Sequence, residues 1–240
     1  DFLMHAADAI ANQAAKWRFM SGGQFKVPAV FRSPAGGGSG YAAQHSQNIE
    51  SWFCHIPGLK VVCPCMPRDA RGLLKSAIRD DNPVVFLEHK SHYTYRGPMP
   101  KEEELLPLGK ADVKREGTDV TLVSWSRNLL WALEAADKLR EEGVSVEVID
   151  PMTLFPLDLD TILESLAKTG RLVVSHEAHA FCGVGAEIIA QVVEGHMDLL
   201  KAAPKRVSAV ACPLPYSEPL EKAALPDADD IAAAVRQVVR

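Results

Sequence analysis

Residues 121–149, TLVSWSRNLLWALEAADKLREEGVSVEVI, decide the fold. Two short apolar runs, Thr121–Ser124 and Ser145–Ile149, flank a segment, Leu129–Arg140, whose apolar positions recur at helical spacing. Gly143 punctuates the return. A strand, a helix and a second strand without polar alternation predict a parallel β-α-β unit covered on both faces. Outward from it the alternation continues. Helices are predicted at about 158–168 and 185–200, with strands at Arg171–Ser175 and 206–210, and Ile231–Val239 reads as a last amphipathic helix. Before residue 90 the same texture appears. Strands are predicted at Val27–Phe31, 59–63 and 84–88, and helices at 3–19, 44–55 and 67–79, the last with Pro67 near its first position and Asp69 in its first turn. Residues 90–118 show no regular period, and Lys101-Glu102-Glu103-Glu104 suits a solvated connector. The expected architecture is α/β: two domains with mainly parallel sheets, 1–100 and 119–240, joined by a linker at 101–118.

Composition narrows the functions. Of 240 residues, 26 are Lys or Arg and 31 Asp or Glu, a net charge of −5 that leaves no basic surplus for nucleic acid. The 47% hydrophobic content is globular, and no run reaches the roughly 18 apolar residues of a membrane span. The cysteines (Cys54, Cys63, Cys65, Cys182, Cys212) are odd in number and scattered, which predicts reduced thiols and an intracellular chain. The chain opens DFLMHAADAI without a Met, as a fragment or processed form would, so no targeting signal can be judged.

Four stretches could carry chemistry. Pro34–Gly40, PAGGGSG, lacks the Lys-Ser/Thr of a phosphate-binding loop and a correctly placed third glycine of a dinucleotide fingerprint. Its glycines permit a loop that folds closely over a ligand, leading to a helix opening at Gln44-His45. At a helix start the dipole favours a neutral, proton-accepting imidazole, although His45 alone also reads as a surface residue. His176-Glu177-x-His179 lacks the spacing that would put two imidazoles on one helical face. Cys63-Pro64-Cys65 reads as core or loop lining, and Gly183-x-Gly185 as close helix–strand packing or half a dinucleotide motif. Ser76–Pro83, SAIRDDNP, ends a helix in a tight turn where free carbonyls and acids converge, either a capped end or a site for a hard cation.

Taken together, FMSGG…VPAVFRSPAGGGSGYAAQHSQNIESWFCHIPGLKVV and DARGLLKSAIRDDNPVVFLEHK resemble the β subunit of 2-oxo acid dehydrogenase E1 components. VIDPMTLFPLDLDTI, KTGRLVVSHEA, GVGAEI and PLPYSEPLE resemble the C-terminal transketolase-like domain of the same subunits. PAGGG and LEHK lean toward the pyruvate or acetoin type. The resemblance implies a partial transketolase-like pyrimidine-binding domain followed by a transketolase C-terminal domain, in an α2β2 assembly. Thiamine diphosphate would be shared, with the α subunit holding the diphosphate and Mg²⁺. A 2-oxo acid would be decarboxylated, or acetoin cleaved, and the acyl group passed to a lipoyl-bearing E2. No nucleic acid or membrane would be involved, and the location would be bacterial cytoplasm or the mitochondrial matrix.

Residue by residue, the resemblance assigns Phe2 to stacking on the pyrimidine and His45 to proton management during acyl transfer. Ala77, Asp80 and Asn82, with the backbone of Ala29, match a structural potassium site. The family's cofactor-activating glutamate would lie upstream of Asp1, so the chain by itself is expected to be inactive and to lean on partners for its missing strands. Met152 stands where these subunits usually carry Arg, and Ala211 where an acid is common, which would bear on subunit or E2 contacts. Two other readings stay open: the C-terminal part of a transketolase or deoxyxylulose-phosphate synthase, and a non-catalytic assembly module.

Overall fold

A computed structural model describes residues 1–98 and 103–240. Two sheets organise it. In the first, β1 (Val30–Ala35), β3 (Val84–His89) and β2 (Lys60–Val62) run parallel in the order β1-β3-β2. In the second, β6 (Val146–Asp150), β5 (Val120–Ser124), β8 (Leu172–His179) and β9 (Lys205–Ala209) are parallel neighbours, with β4 (Asp112–Arg115) antiparallel on the outer edge of β6. The inner strands β3 and β5 are largely apolar because both faces are covered. Val84–Leu87 and Val120–Val123 are wholly buried, and each such side chain contributes about 2 kcal/mol of hydrophobic stabilisation.

Helices supply the cover. Helix α4 (Asn128–Glu141) buries Leu129, Ala132, Ala136 and Leu139 at helical spacing, and packs with the C-terminal α8 (Ala228–Val239) over the second sheet. (In chain order α1 is Ala15–Met20, α2 Glu50–Cys54, α3 Pro67–Ile78, α5 Leu159–Thr169, α6 Val184–His196 and α7 Glu218–Ala224.) Helix α8 starts three residues before the expected position. Asp227 accepts from the N–H groups of Asp229 and Asp230 while Asp230 accepts from that of Asp227, a reciprocal cap that lies outside the apolar period. Helix α3 has its expected Pro67 start, and its buried Asp69 pairs with Lys114 of β4.

Several expectations need correction. The helix drawn over 44–55 exists only as α2, Glu50–Cys54; Ala43–His45 is a single 3₁₀ turn. Ala42 has φ +60° and Ser46 φ −140°, and neither value continues a helix. The dipole argument for His45 therefore falls away. The linker stretch contains β4, whose half-buried Val113 packs against the core. Its residues 101 and 102, and residues 99 and 100 of the first domain, lie outside the described residues. Glu103 and Glu104 fasten the connector to α3 through Lys75, Arg79 and Arg68. A short strand that the sequence did not announce, β7 (Thr153–Phe155), follows β6 and pairs antiparallel with β2, so a segment of the second half completes the first sheet. Met152, at the crossing, is 4% exposed among Val62, Leu73, Val84 and Phe86. Met152 is therefore a core residue of the first sheet, whereas Ala211 is exposed.

Candidate active site

The glycine-rich stretch becomes a closed loop, residues 36–47, between β1 and the approach to α2. The Gly36 N–H donates to the Gln47 carbonyl at 2.8 Å, which shuts its base. Gly36 sits at φ +87° against β3, where a Cβ would fall on the His89 imidazole, and Gly38 at φ +78°, where a Cβ would fall on the Arg127 guanidinium. Only glycine fits both positions.

The second domain grips this loop with two buried carboxylates. Glu177, at the end of β8, accepts from Gly37 N–H at 2.7 Å, from Asn48 Nδ2 at 3.0 Å, and lies 3.0 Å from His89 Nε2. Burial by itself would raise the Glu177 carboxyl, but its interaction with His89 and the donors from Gly37 and Asn48 outweigh that and hold it at about 2. Arg127 donates to the Gly37 carbonyl at 3.2 Å and lies 3.7 Å from the same carboxylate. Glu221 of α7 accepts from Gly38 N–H at 2.8 Å and Gly40 N–H at 3.0 Å. These amides form an anion-binding concavity that the protein's own side chains already fill.

On the opposite side the loop meets the start of the chain. Asp1 Oδ1 accepts from Gln47 N–H at 2.8 Å, and Oδ2 accepts from Lys90 Nζ at 2.8 Å. Burial pushes the Lys90 ammonium down to about 8, against the opposing pull of Glu177. His45 projects from this braced loop. Its ring lies edge-on to Phe2, with centroids 5.0 Å apart at 67°, and Phe2 is 50% exposed. The two therefore stand together on an open face. A cavity of about 540 Å³ borders the loop at Gly38–Gly40 and one of about 1010 Å³ lies beyond Asn48, and neither is lined by Phe2 or His45. The geometry brings a free aromatic face and an exposed imidazole to one place, on a backbone fixed from both domains.

Of the four residues expected to hold potassium, Ala77, Asp80 and Asn82 are hydrogen-bonded in one turn, while Ala29 pairs with Val84 of β3. The Ala29 carbonyl accepts from Val84 N–H at 2.9 Å, and the Ala77 carbonyl from Asp80 N–H at 3.2 Å and from Arg79 N–H at the end of α3. The side-chain oxygens are engaged otherwise. Asp80 pairs with Lys60 Nζ and accepts from Asn82 N–H and Nδ2 at 2.8 Å each, and Asn82 Oδ1 accepts from Arg18 at 2.6 Å. The donor set suits a hard cation, and the Lys60 ammonium occupies its strongest ligand.

Of the remaining motifs, Cys63 and Cys65 are core residues. Gly183 and Gly185 let α6 lie against His176, the close-packing alternative, and His176 stacks on Trp125 with centroids 5.1 Å apart. Among the described residues no group of three or more His, Cys, Asp or Glu could hold a metal ion. Sequence reasoning missed Glu177, His89, Arg127, Glu221 and Lys90 as parts of the site. Glu177 was visible only as a poor metal motif, and nothing local links it to a glycine 140 positions away.

Comparison with known proteins agrees with this geometry. Residues 1–96 match the transketolase pyrimidine binding domain, and residues 109–231 match the transketolase C-terminal domain. The mitochondrial pyruvate dehydrogenase E1 component subunit beta of Caenorhabditis elegans is 48% identical over 242 residues, covering 99% of this chain and 69% of its own length. The pyruvate dehydrogenase E1 component subunit beta of Rickettsia felis is 48% identical over 238 residues, covering 99% and 73%. The acetoin:2,6-dichlorophenolindophenol oxidoreductase subunit beta of Cupriavidus necator is 46% identical over 240 residues, covering 100% and 71%. A solved structure described as a split gene transketolase, inactive beta4 tetramer, superposes with a TM-score of 0.73 at 23% identity over 98% of this chain and 73% of that one, a likeness of fold. No helix among the described residues is long and apolar enough to cross a membrane. The chain belongs to the transketolase-like family of pyruvate and acetoin dehydrogenase E1 β subunits.

Proposed function

We propose that the chain is the β subunit of a thiamine diphosphate-dependent E1, which works with an α subunit in an α2β2 assembly and hands an acyl group from a 2-oxo acid or acetoin to lipoyl-E2. The observation that carries the chemistry is the pairing of Phe2 and His45 on an open face of a rigid loop. Thiamine diphosphate, when bound, supplies the nucleophilic carbon and electron sink for cleavage beside a carbonyl. The residues here fit one part of it. The half-exposed Phe2 ring offers an apolar face to a flat heterocycle. The loop amides do not fit the diphosphate, because Glu177 and Glu221 already take them. That agrees with the family resemblance, which implies that the α subunit holds the diphosphate and its Mg²⁺.

His45 holds or releases a proton beside the reacting carbonyl while the lipoyl disulfide opens. One lipoyl sulfur takes the acyl group and the other leaves as a thiolate that needs a proton. His45 can supply it without carrying the bulk of the cofactor's binding. Phe2 has the complementary part. Phe2→Ala, in the full-length subunit assembled with its partner, is expected to raise the thiamine diphosphate concentration for half-saturation about tenfold, the scale of one lost ring contact. A titration of activity against thiamine diphosphate measures it, and an unchanged half-saturation point removes Phe2 from the cofactor site.

Potassium at the Ala29, Ala77, Asp80 and Asn82 turn belongs to the same proposal, with an explicit competitor. The ion must displace Lys60 from Asp80. At a hundred times its dissociation constant it would add about 3 kcal/mol to stability. Melting temperature is thus expected to rise by several degrees when potassium chloride replaces choline chloride at equal ionic strength. Identical melting curves would leave the Lys60 ammonium as the turn's cation. The relatives include bacterial proteins and others named as mitochondrial, and the proposed setting is accordingly bacterial cytoplasm or mitochondrial matrix.

A further inference from the structure

We infer that Glu177, a residue of the second domain, is the positioning residue for His45. The inference rests on the role proposed for His45 above. Both ends of the loop that carries His45 are tied to one carboxylate: Gly37 at the entrance through its N–H, and Asn48 just past the exit through its side chain. The Gly36–Gln47 hydrogen bond between them closes the base, so the two ties fix the angle at which the whole loop leaves the sheet. His89 Nε2 presses the same carboxylate from β3, its Nδ1 lies 2.8 Å from Ser91 Oγ, and Gly36 is packed against its ring.

A carboxylate is the group that this arrangement needs. It has about four acceptor positions, and Gly37, Asn48, His89 and Arg127 converge on it. Glu177 is 6% exposed, and its polar partners are Gly37, Asn48, His89 and Arg127 rather than His45. Its effect on the reaction must pass through loop geometry. A displacement of about 1 Å in a reacting group can cost as much as a hundredfold in rate, and a loop hinged at Gly37 and Asn48 converts a small change at Glu177 into such a displacement at its outer part.

The step that should suffer is the one His45 serves. Glu177→Gln keeps the side-chain shape but replaces one acceptor oxygen with an NH₂ group and removes the charge. In the full-length subunit assembled with its α partner, two rates are compared. One is decarboxylation coupled to the dye 2,6-dichlorophenolindophenol, which bypasses lipoyl transfer, and the other is acylation of a free lipoyl domain.

Glu177→Gln is expected to lower lipoyl acylation at least tenfold more than dye-coupled turnover, through kcat, with KM for the lipoyl domain within twofold. Asn48→Ala, which removes one tie, is expected to move the same ratio about threefold. His45→Ala is the reference. If it shifts the ratio and Glu177→Gln lowers both rates equally, or neither, the inference is overturned while the reading of His45 stands. If His45→Ala leaves the ratio alone, that reading fails and the inference with it. Should Glu177→Gln not assemble, Asn48→Ala decides: a shifted ratio supports the positioning role and an unshifted one overturns it.

Discussion

His45→Ala in the full-length subunit, reconstituted with its α partner, is expected to lower acyl transfer to the lipoyl domain by about 10²–10³-fold, the range of a lost general acid or base. Dye-coupled decarboxylation should fall by much less. The asymmetry follows from position. His45 is exposed and lies beside the ring proposed to face the cofactor. Its removal leaves the loop's ties at Gly36, Gly37, Gly38, Gly40 and Gln47 in place, since every one uses backbone atoms. The loss should therefore appear without a change in melting temperature. His45→Gln, which can donate and accept hydrogen bonds but cannot carry the proton, should behave like Ala. Near-normal lipoyl acylation in both variants would take the imidazole out of the chemistry.

The second large effect is on stability against pH. Burial pushes the carboxyl of Asp150, at the end of β6, up to about 7, although Lys114 and the Met152 N–H oppose the rise. Glu50 of α2 is likewise raised to about 7, chiefly by burial and against its own backbone hydrogen bond. A carboxyl whose folded value lies above its unfolded value near 4 binds more protons in the folded state, so stability falls as pH climbs through that window and the loss is complete above about 7. Ionising buried Asp150 in the folded state thus costs roughly 4 kcal/mol at most. Glu177 has the opposite sign. Held at about 2, it stabilises fully above its unfolded value near 4.5, and that contribution is lost as pH drops toward 2. Stability should peak on the acid side of neutral and decline toward pH 8. Asp150→Asn keeps an acceptor for Met152 and removes the charge, so it should flatten the decline between pH 5 and 8 and melt higher than the parent at pH 8. Parallel pH profiles for the two proteins would show that Asp150 is ionised at little cost.

Much of the scaffold is legible in the order of residues. The inner parallel strands announce themselves as short apolar runs because they are covered on both faces, and α3, α4 and α5 follow their apolar spacing. The misses have local causes. Strands β4 and β7 are short edge pieces whose pairing depends on distant partners. The 44–55 segment contains helix-compatible residues, but closure of the loop onto Gly36 overrides that propensity. Helix α8 begins earlier than its apolar period because two aspartates cap it. The site was legible in part. His45 and Phe2 were found by resemblance, and the structure brings them within 5.0 Å of each other. Glu177 and Glu221 were not found, because a carboxylate that accepts glycine N–H groups from another domain leaves no spacing to read. The glycines that looked ready for a phosphate are instead the seats of those two side chains.

The most direct test of the E1 assignment is acylation of a lipoyl domain by the full-length subunit assembled with its α partner, thiamine diphosphate and Mg²⁺. With pyruvate or acetoin supplied in turn, mass spectrometry should find the acetyl group on the lipoyl domain with at least one of them. An assembly that leaves the lipoyl domain unacylated with both pyruvate and acetoin, yet transfers two-carbon units between sugar phosphates, would contradict the assignment and return the chain to the transketolases proper.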